Sequence, residues 1–226
     1  MAGKTFPFKG AVFDLDGTLL DTLADIANSA NEVLNDLGLP THPVESYRYF
    51  VGDGVRVLLS RVLPEDWRTP ERIESCLEKM RPSYLKHLNV TARPYPEIPG
   101  LLAGLKESGC QIAVLSNKPH NLTELCVSQF FDETGFDPVF GLQDGQKPKP
   151  DPAGARKIID QWQISSEDIV YFGDTSTDME TALRAGMHPV GVQWGFRQPD
   201  ELTSAGARIV IESAAAFFKY SSQLSE

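Results

Sequence analysis

The chain has 226 residues and a formal net charge of −10, from 31 Asp and Glu against 21 Lys and Arg. A grip on a nucleic-acid backbone needs a basic stripe, and none is visible, so no nucleic-acid partner is expected. With 41% hydrophobic and 23% charged residues the composition is that of a globular protein able to bury a core. No stretch approaches the ~18–20 consecutive apolar residues of a membrane span, and Met1 to Lys9 holds no apolar run of signal-peptide type. Cys76, Cys110 and Cys126 lack Cys-x-x-Cys spacing and read as small buried hydrophobes in a reducing cytoplasm, the expected compartment. A monomer or homodimer is expected.

Gly10 to Asp14 is a short apolar run ending in an acid, read as a buried strand. From Asp21, a good N-cap, Leu23, Ile26, Ala27, Ala30, Val33, Leu34 and Leu37 recur at helical spacing until Gly38 supplies a stop. Val55, Leu58, Leu59 and Val62 repeat the pattern after a Gly52-Asp53-Gly54 turn. Thr69-Pro70-Glu71 opens a further helix through Leu88 that Pro82 is expected to kink or split. The proline-rich stretch Arg93 to Pro99 reads as a connector, with a hinge expected near residues 20–22 and 93–96.

Beyond it, helices and apolar strands alternate: helix 101–108, strand 111–115, helix 122–130, strand 139–142, helix 153–162, strand 169–172, helix 179–185, strand 189–193, strand 208–211 and a terminal helix. Such alternation predicts a Rossmann-like, doubly wound parallel α/β sheet. The first strand belongs with it, so the helical segment is an insertion. The expected division is an α/β core of residues 1–19 and 94–226 carrying a helical cap domain of residues 20–93.

In such sheets ligands sit outside the carboxyl ends of the strands. There the chain places Asp14-Leu15-Asp16-Gly17-Thr18, Ser116-Asn117, Lys147-Pro148-Lys149-Pro150 and Gly173-Asp174-Thr175-Ser176-Thr177-Asp178. Acids this close repel unless a cation shares them, and hard oxygen ligands suit magnesium. An Asp carboxylate can attack phosphorus to form an aspartyl-phosphate, while a second acid protonates the departing alkoxide and then deprotonates water. Ser116 and Lys147 are expected to donate to phosphoryl oxygens. Four aspartates outweigh one lysine, so strict divalent-cation dependence is expected.

These four segments, in order and spacing, resemble the motifs of the haloacid dehalogenase superfamily of aspartate-nucleophile phosphatases. The resemblance implies that Asp14 is nucleophile and magnesium ligand, and that Asp16 is general acid/base and a ligand through its main-chain carbonyl. It implies Asp174 as a direct acidic ligand, with Asp178 behind it orienting a metal-bound water or Lys147. Thr18, Ser116, Asn117 and Lys147 are then the expected phosphate-binding residues. Lys149 is read as a solvated charge, because Lys147 begins a Lys-Pro-x-Pro run followed by Asp151. Dehalogenase members lack an acid at the position of Asp16, which favours phosphoryl chemistry.

The cap segment Gly52-Asp-Gly-Val-Arg56 looks most like the phosphoglycolate phosphatase branch, with Arg56 expected on a substrate carboxylate and Gly54 approaching the ligand through its backbone. The expected partner is therefore a small phosphorylated metabolite. β-Phosphoglucomutases and sugar or nucleotide phosphatases share the same cap plan, and a mutase would use the same Asp14. Other readings fit worse: an EF-hand loop is broken by Thr18 and Leu19, a receiver domain does not account for the insertion, and no Gly-x-Gly-x-x-Gly follows the first strand.

Overall fold

A computed structural model describes residues 6–224. Six strands form one sheet: β1 (Gly10–Phe13), β4 (Gln111–Pro119), β5 (Val139–Leu142), β6 (Ile169–Gly173), β7 (His188–Val192) and β8 (Ile209–Ile211). Their order is β5-β4-β1-β6-β7-β8, and every pairing is parallel. The chain runs outward from β1 through β4 to β5, then returns to the other side of β1 and runs outward again. Its direction therefore switches between β1 and β6, the place where open α/β sheets form their ligand crevice.

Strand alternation explains the two buried faces. Ala11 and Phe13 of β1 and Val170 and Phe172 of β6 pack into one apolar cluster, where the Phe13 and Phe172 rings stack 4.6 Å apart. Val12, Ile169 and Tyr171 point the opposite way into a second cluster with α6 (Ala153–Trp162) and α7 (Ser176–Ala185). Helix α4 (Ile98–Glu107) covers the first face with α9 (Ala216–Tyr220), and α5 (His120–Phe131) contributes Cys126, Val127 and Phe131 to it. A short α8 (Pro199–Ser204), which the sequence pattern does not reveal, follows β7.

The segment between β1 and β4 carries α1 (Leu23–Asp36), α2 (Val55–Val62) and α3 (Pro70–His87). Their apolar faces make a separate cluster of Ile26, Ala30, Leu34, Leu59, Met80 and Tyr84 with their neighbours, joined from the sheet side by Leu122 and Phe196. Thr22, not Asp21, occupies the N-cap of α1. Helix α3 continues through Pro82, against expectation. Pro82 and Glu78, whose carbonyl loses its helical partner, are both exposed, so water can take that bond.

The two chain crossings at the base of this segment pair with each other. β2 (Leu20–Asp21) runs antiparallel to β3 (Arg93–Pro94), a ribbon at the positions expected for a hinge. Asp25, buried in the first turn of α1, fastens the return crossing. Its carboxylate accepts from Thr91 N at 2.9 Å, Thr91 Oγ1 at 2.5 Å and Ala92 N at 3.1 Å. A buried charge is tolerated when hydrogen bonds satisfy it in this way.

Candidate active site

The carboxyl ends of β1 and β6 bring Asp14 and Asp174 together at the switch point, and the first turn of α7 adds Asp178. One carboxylate oxygen from each lies within 4.8 Å of the others, and all three residues are buried. Each acid is held differently. Asp174 accepts from Thr18 Oγ1 at 3.1 Å and from Phe196 N at 2.8 Å. Asp178 closes a capping box at the start of α7, its Oδ2 accepting from Thr175 N at 3.1 Å and Thr175 Oγ1 at 2.7 Å. Asp14 Oδ1 is buried and has Lys149 Nζ 2.9 Å away, an ion pair without the alignment of a hydrogen bond. Burial pushes the Asp14 carboxyl up to about 7, helped by Asp178 and Asp16 and opposed by Lys149. Burial and then Asp178 and Asp14 also raise Asp174 well above the ordinary carboxylate range.

Gly17 lets the turn after β1 close over this group. Its φ is +88°, and a Cβ there would stand 2.3 Å from Asp174 Oδ2. The same turn is tied from outside by Trp194 Nε1, which donates to the carbonyl of Thr18 at 3.0 Å.

The lysine that completes the cluster is Lys149, not Lys147. Its side chain is 3% exposed, and Nζ lies 2.9 Å from Asp14 Oδ1 and 2.6 Å from Asp178 Oδ1 while donating to Leu115 O at 3.1 Å. Burial opposes its charge, but Asp14 and Asp178 raise its pKa well above the ordinary lysine value, so it stays a cation. Lys147 is exposed. Asn117 makes the choice: its Oδ1 accepts from Lys149 N at 2.7 Å and its Nδ2 donates to Lys149 O at 3.2 Å, clamping that residue's backbone against the end of β4. The signal was present in the sequence, because Lys149-Pro150-Asp151-Pro152 is a second, overlapping Lys-Pro-x-Pro run.

Other expected site residues fall into place unevenly. Ser116 is buried beside Asn117 at the same sheet edge, its Oγ accepting from Lys118 N at 3.3 Å. Asn117 spends its amide on Lys149 and on Gly52 O, at 3.0 Å from Nδ2, so its side chain joins two loops. Thr18 likewise commits its hydroxyl to Asp174. Gly54, at φ +87°, begins α2 over the site, where a Cβ would be 3.6 Å from Asn117 O. Arg56, the second residue of α2, points away: its side chain is 61% exposed and pairs with Glu74. The helix places Arg56 on the face opposite buried Leu58, Leu59 and Val62, which is why it meets solvent.

Asp16 turns from the three acids toward a pair of groups that sequence reasoning missed. Lys118 Nζ donates to Asp16 Oδ1 at 2.8 Å and Oδ2 at 3.1 Å, and Thr22 Oγ1 donates to Oδ1 at 2.8 Å. Lys118 also donates to the Tyr84 hydroxyl and lies 4.7 Å from that ring's centroid. Neither belongs to a recognisable motif, and only the fold brings them together at Asp16. Further bonds seat the insertion on the sheet: Thr177 Oγ1 to Asp53 Oδ1 at 2.6 Å, Arg197 Nη2 to Val51 O at 2.9 Å and Arg48 Nη1 to Gly195 O at 2.8 Å. Among the described residues no helix is long and apolar enough to cross a membrane.

An α/β sheet with three buried carboxylates and a buried lysine at its switch point defines a hydrolase of the haloacid dehalogenase-like class, and that family's profile matches residues 11–192. The chain belongs to this family. It is 35% identical over 185 residues to a phosphoglycolate phosphatase of Aquifex aeolicus, covering 82% of this chain and 84% of that one. A phosphoglycolate phosphatase of Nitrosospira multiformis is 31% identical over 213 residues, 92% of each chain. Among solved structures, a candidate phosphoglycolate phosphatase from Lactobacillus delbrueckii subsp. bulgaricus superposes with a TM-score of 0.88 at 28% identity, covering 96% of this chain and 98% of that one. The protein is a phosphoric monoester hydrolase of the phosphoglycolate phosphatase-like kind.

Proposed function

We propose that the protein is a magnesium-dependent phosphatase that hydrolyses a small phosphomonoester, 2-phosphoglycolate first among them, through a phosphoryl group held on Asp14. The observation that carries this reading is the state of Asp14: buried at the switch point, ion-paired with the buried Lys149 ammonium, with two further carboxylates close by. The names of the relatives favour 2-phosphoglycolate.

The donor set fits the metal. It is all oxygen, it is buried, and burial together with the neighbouring carboxylates holds Asp14 and Asp174 above their ordinary pKa, a cost that a divalent cation would offset. Asp14, Asp174 and the Asp16 carbonyl would hold the ion, whereas both oxygens of Asp178 are engaged by Lys149 and Thr175. Bound magnesium offsets negative charge on the carboxylates and on the phosphoryl oxygens.

In this scheme an oxygen of Asp14 attacks phosphorus while the ester P–O bond breaks, and Asp16 gives its proton to the departing oxygen. Asp16 then removes a proton from water, whose oxygen attacks the phosphoryl group and frees Asp14 with inorganic phosphate. Lys149 holds Asp14 in place and supplies charge to the transferring group, joined by the Ser116 hydroxyl. The insertion, residues 20–93, acts as a cap that closes over the edge and limits water.

A panel of small phosphate esters with magnesium, including 2-phosphoglycolate and hexose phosphates, tests the reading. Phosphate release from 2-phosphoglycolate above the other esters is expected, and its loss in Asp14→Asn. An isomerised hexose phosphate without net phosphate release would replace the phosphatase by a mutase.

A further inference from the structure

The Lys118–Tyr84 pair lies outside every role assigned above, yet it holds the group on which the proton transfers depend. Lys118 sits at the end of β4 with its side chain 3% exposed, and its ammonium spans both oxygens of Asp16 at 2.8 and 3.1 Å. Tyr84 belongs to α3 of the insertion, is itself buried, and receives a hydrogen bond from the same ammonium while its ring flanks it. Thr22, at the crossing into α1, completes the shell around Asp16. One acid is thus held by groups from the sheet, the crossing and the insertion.

We propose that Lys118 and Tyr84 are positioning residues that hold the Asp16 carboxyl in one orientation at the edge of the acid cluster, so that proton delivery depends on the insertion being seated. The inference rests on the phosphatase reading and deepens it. A carboxyl on a flexible turn has several rotamers, and two contacts to one cation leave essentially one. Tyr84 removes the remaining freedom of the long lysine side chain. In the step that depends on this orientation, the Asp16 O–H bond breaks as its proton passes to the ester oxygen. The P–O bond to that oxygen breaks as the Asp14 O–P bond forms, and the alcohol leaves. Water later returns the proton to Asp16 as its oxygen replaces Asp14 on phosphorus, so the turnover consumes ester and water only.

The readout is leaving-group dependence. An alkyl ester needs its departing oxygen protonated, whereas p-nitrophenyl phosphate expels a stable phenolate without help. In kcat/KM, which covers steps only through transfer to Asp14, Lys118→Met should lose about 100-fold on 2-phosphoglycolate and on ethyl phosphate alike, and less than about tenfold on p-nitrophenyl phosphate. Tyr84→Phe, which keeps the ring and so the fold, should lose about tenfold on the two alkyl esters with the smaller effect again on the aryl ester. It carries the test should Lys118→Met not fold. Equal losses on alkyl and aryl esters in Tyr84→Phe would overturn the proposal, as would a Lys118→Met loss confined to the carboxylated ester, which would make Lys118 a substrate-carboxylate ligand. Failure of the phosphatase reading itself would show differently, as absence of phosphate release by the unsubstituted protein from any of the three.

Discussion

Lys149 Nζ stands 2.9 Å from Asp14 Oδ1, and that ion pair links a loop late in the chain to the end of its first strand. The same ammonium reaches Asp178 at 2.6 Å, so one buried cation serves two buried acids. Truncating it leaves both carboxylates without their counter-charge. Lys149→Ala should lower kcat by about 10²–10³-fold, the scale for removing one preorganised donor from a site of this type. Lys147→Ala, at an exposed position two residues earlier, should stay within about twofold of the parent. Steady-state phosphate release from the two variants checks the assignment, and the reverse ranking would return the role to Lys147.

The raised pKa of Asp14 makes stability depend on pH, with a definite sign. Burial lifts this carboxyl from 3.8 to about 7 in the folded chain. Between those values the folded protein holds a proton that the unfolded chain has released, so the associated stability is full at the acid end and is lost as pH rises through about 7. The metal-free protein should therefore melt at a lower temperature just above neutral pH than about one unit below it, at a slope of at most about 1.4 kcal/mol per pH unit for one proton. Magnesium, competing with that proton, should flatten the slope, and so should Asp14→Asn, which also abolishes turnover. Thermal melts with chelator and with magnesium measure both, and a slope of opposite sign in chelator would contradict the prediction.

Arg56 is a second place where the tertiary arrangement redirects an expectation. It pairs with Glu74 on the solvent face of α2, and exposed pairs contribute about 0–1 kcal/mol. Arg56→Ala should leave KM for 2-phosphoglycolate and for a neutral ester within about twofold. A selective rise for the carboxylated substrate would show that α2 turns to present Arg56 during the reaction.

Asp25 fastens the return crossing of the insertion through three hydrogen bonds. Asp25→Ala strips two backbone N–H groups and the Thr91 hydroxyl of their acceptor. At about 1–3 kcal/mol for each buried group left unsatisfied, the cost should reach about 2–4 kcal/mol once water repays part of it. Denaturant melts give this directly. A change below about 0.5 kcal/mol would mean that the crossing is held by the β2–β3 pairing alone.

Much of the molecule is legible without coordinates because its signals are local. The apolar runs bounded by glycine and acid mark β1 and β6, helical periodicity marks α2 to the residue, and the acids that end the strands mark the edge where ligands bind. The sequence pattern misses α8, too short to show a period, and expects a break at Pro82 that the exposed helix face absorbs.

Sequence alone determined the α/β class, the helical insertion and the four acids, since strand periodicity and spacing depend on near neighbours. What only the folded chain decided is which cation meets which acid. Lys147 and Lys149 each begin a Lys-Pro-x-Pro run, and the choice falls to Asn117, a residue distant in sequence that clamps the backbone of one and not the other. Likewise Tyr84 and Lys118 carry no motif, and they meet at Asp16 because α3 packs down over the end of β4. A side chain's direction is set by what it packs against, and that information is held in contacts between distant segments.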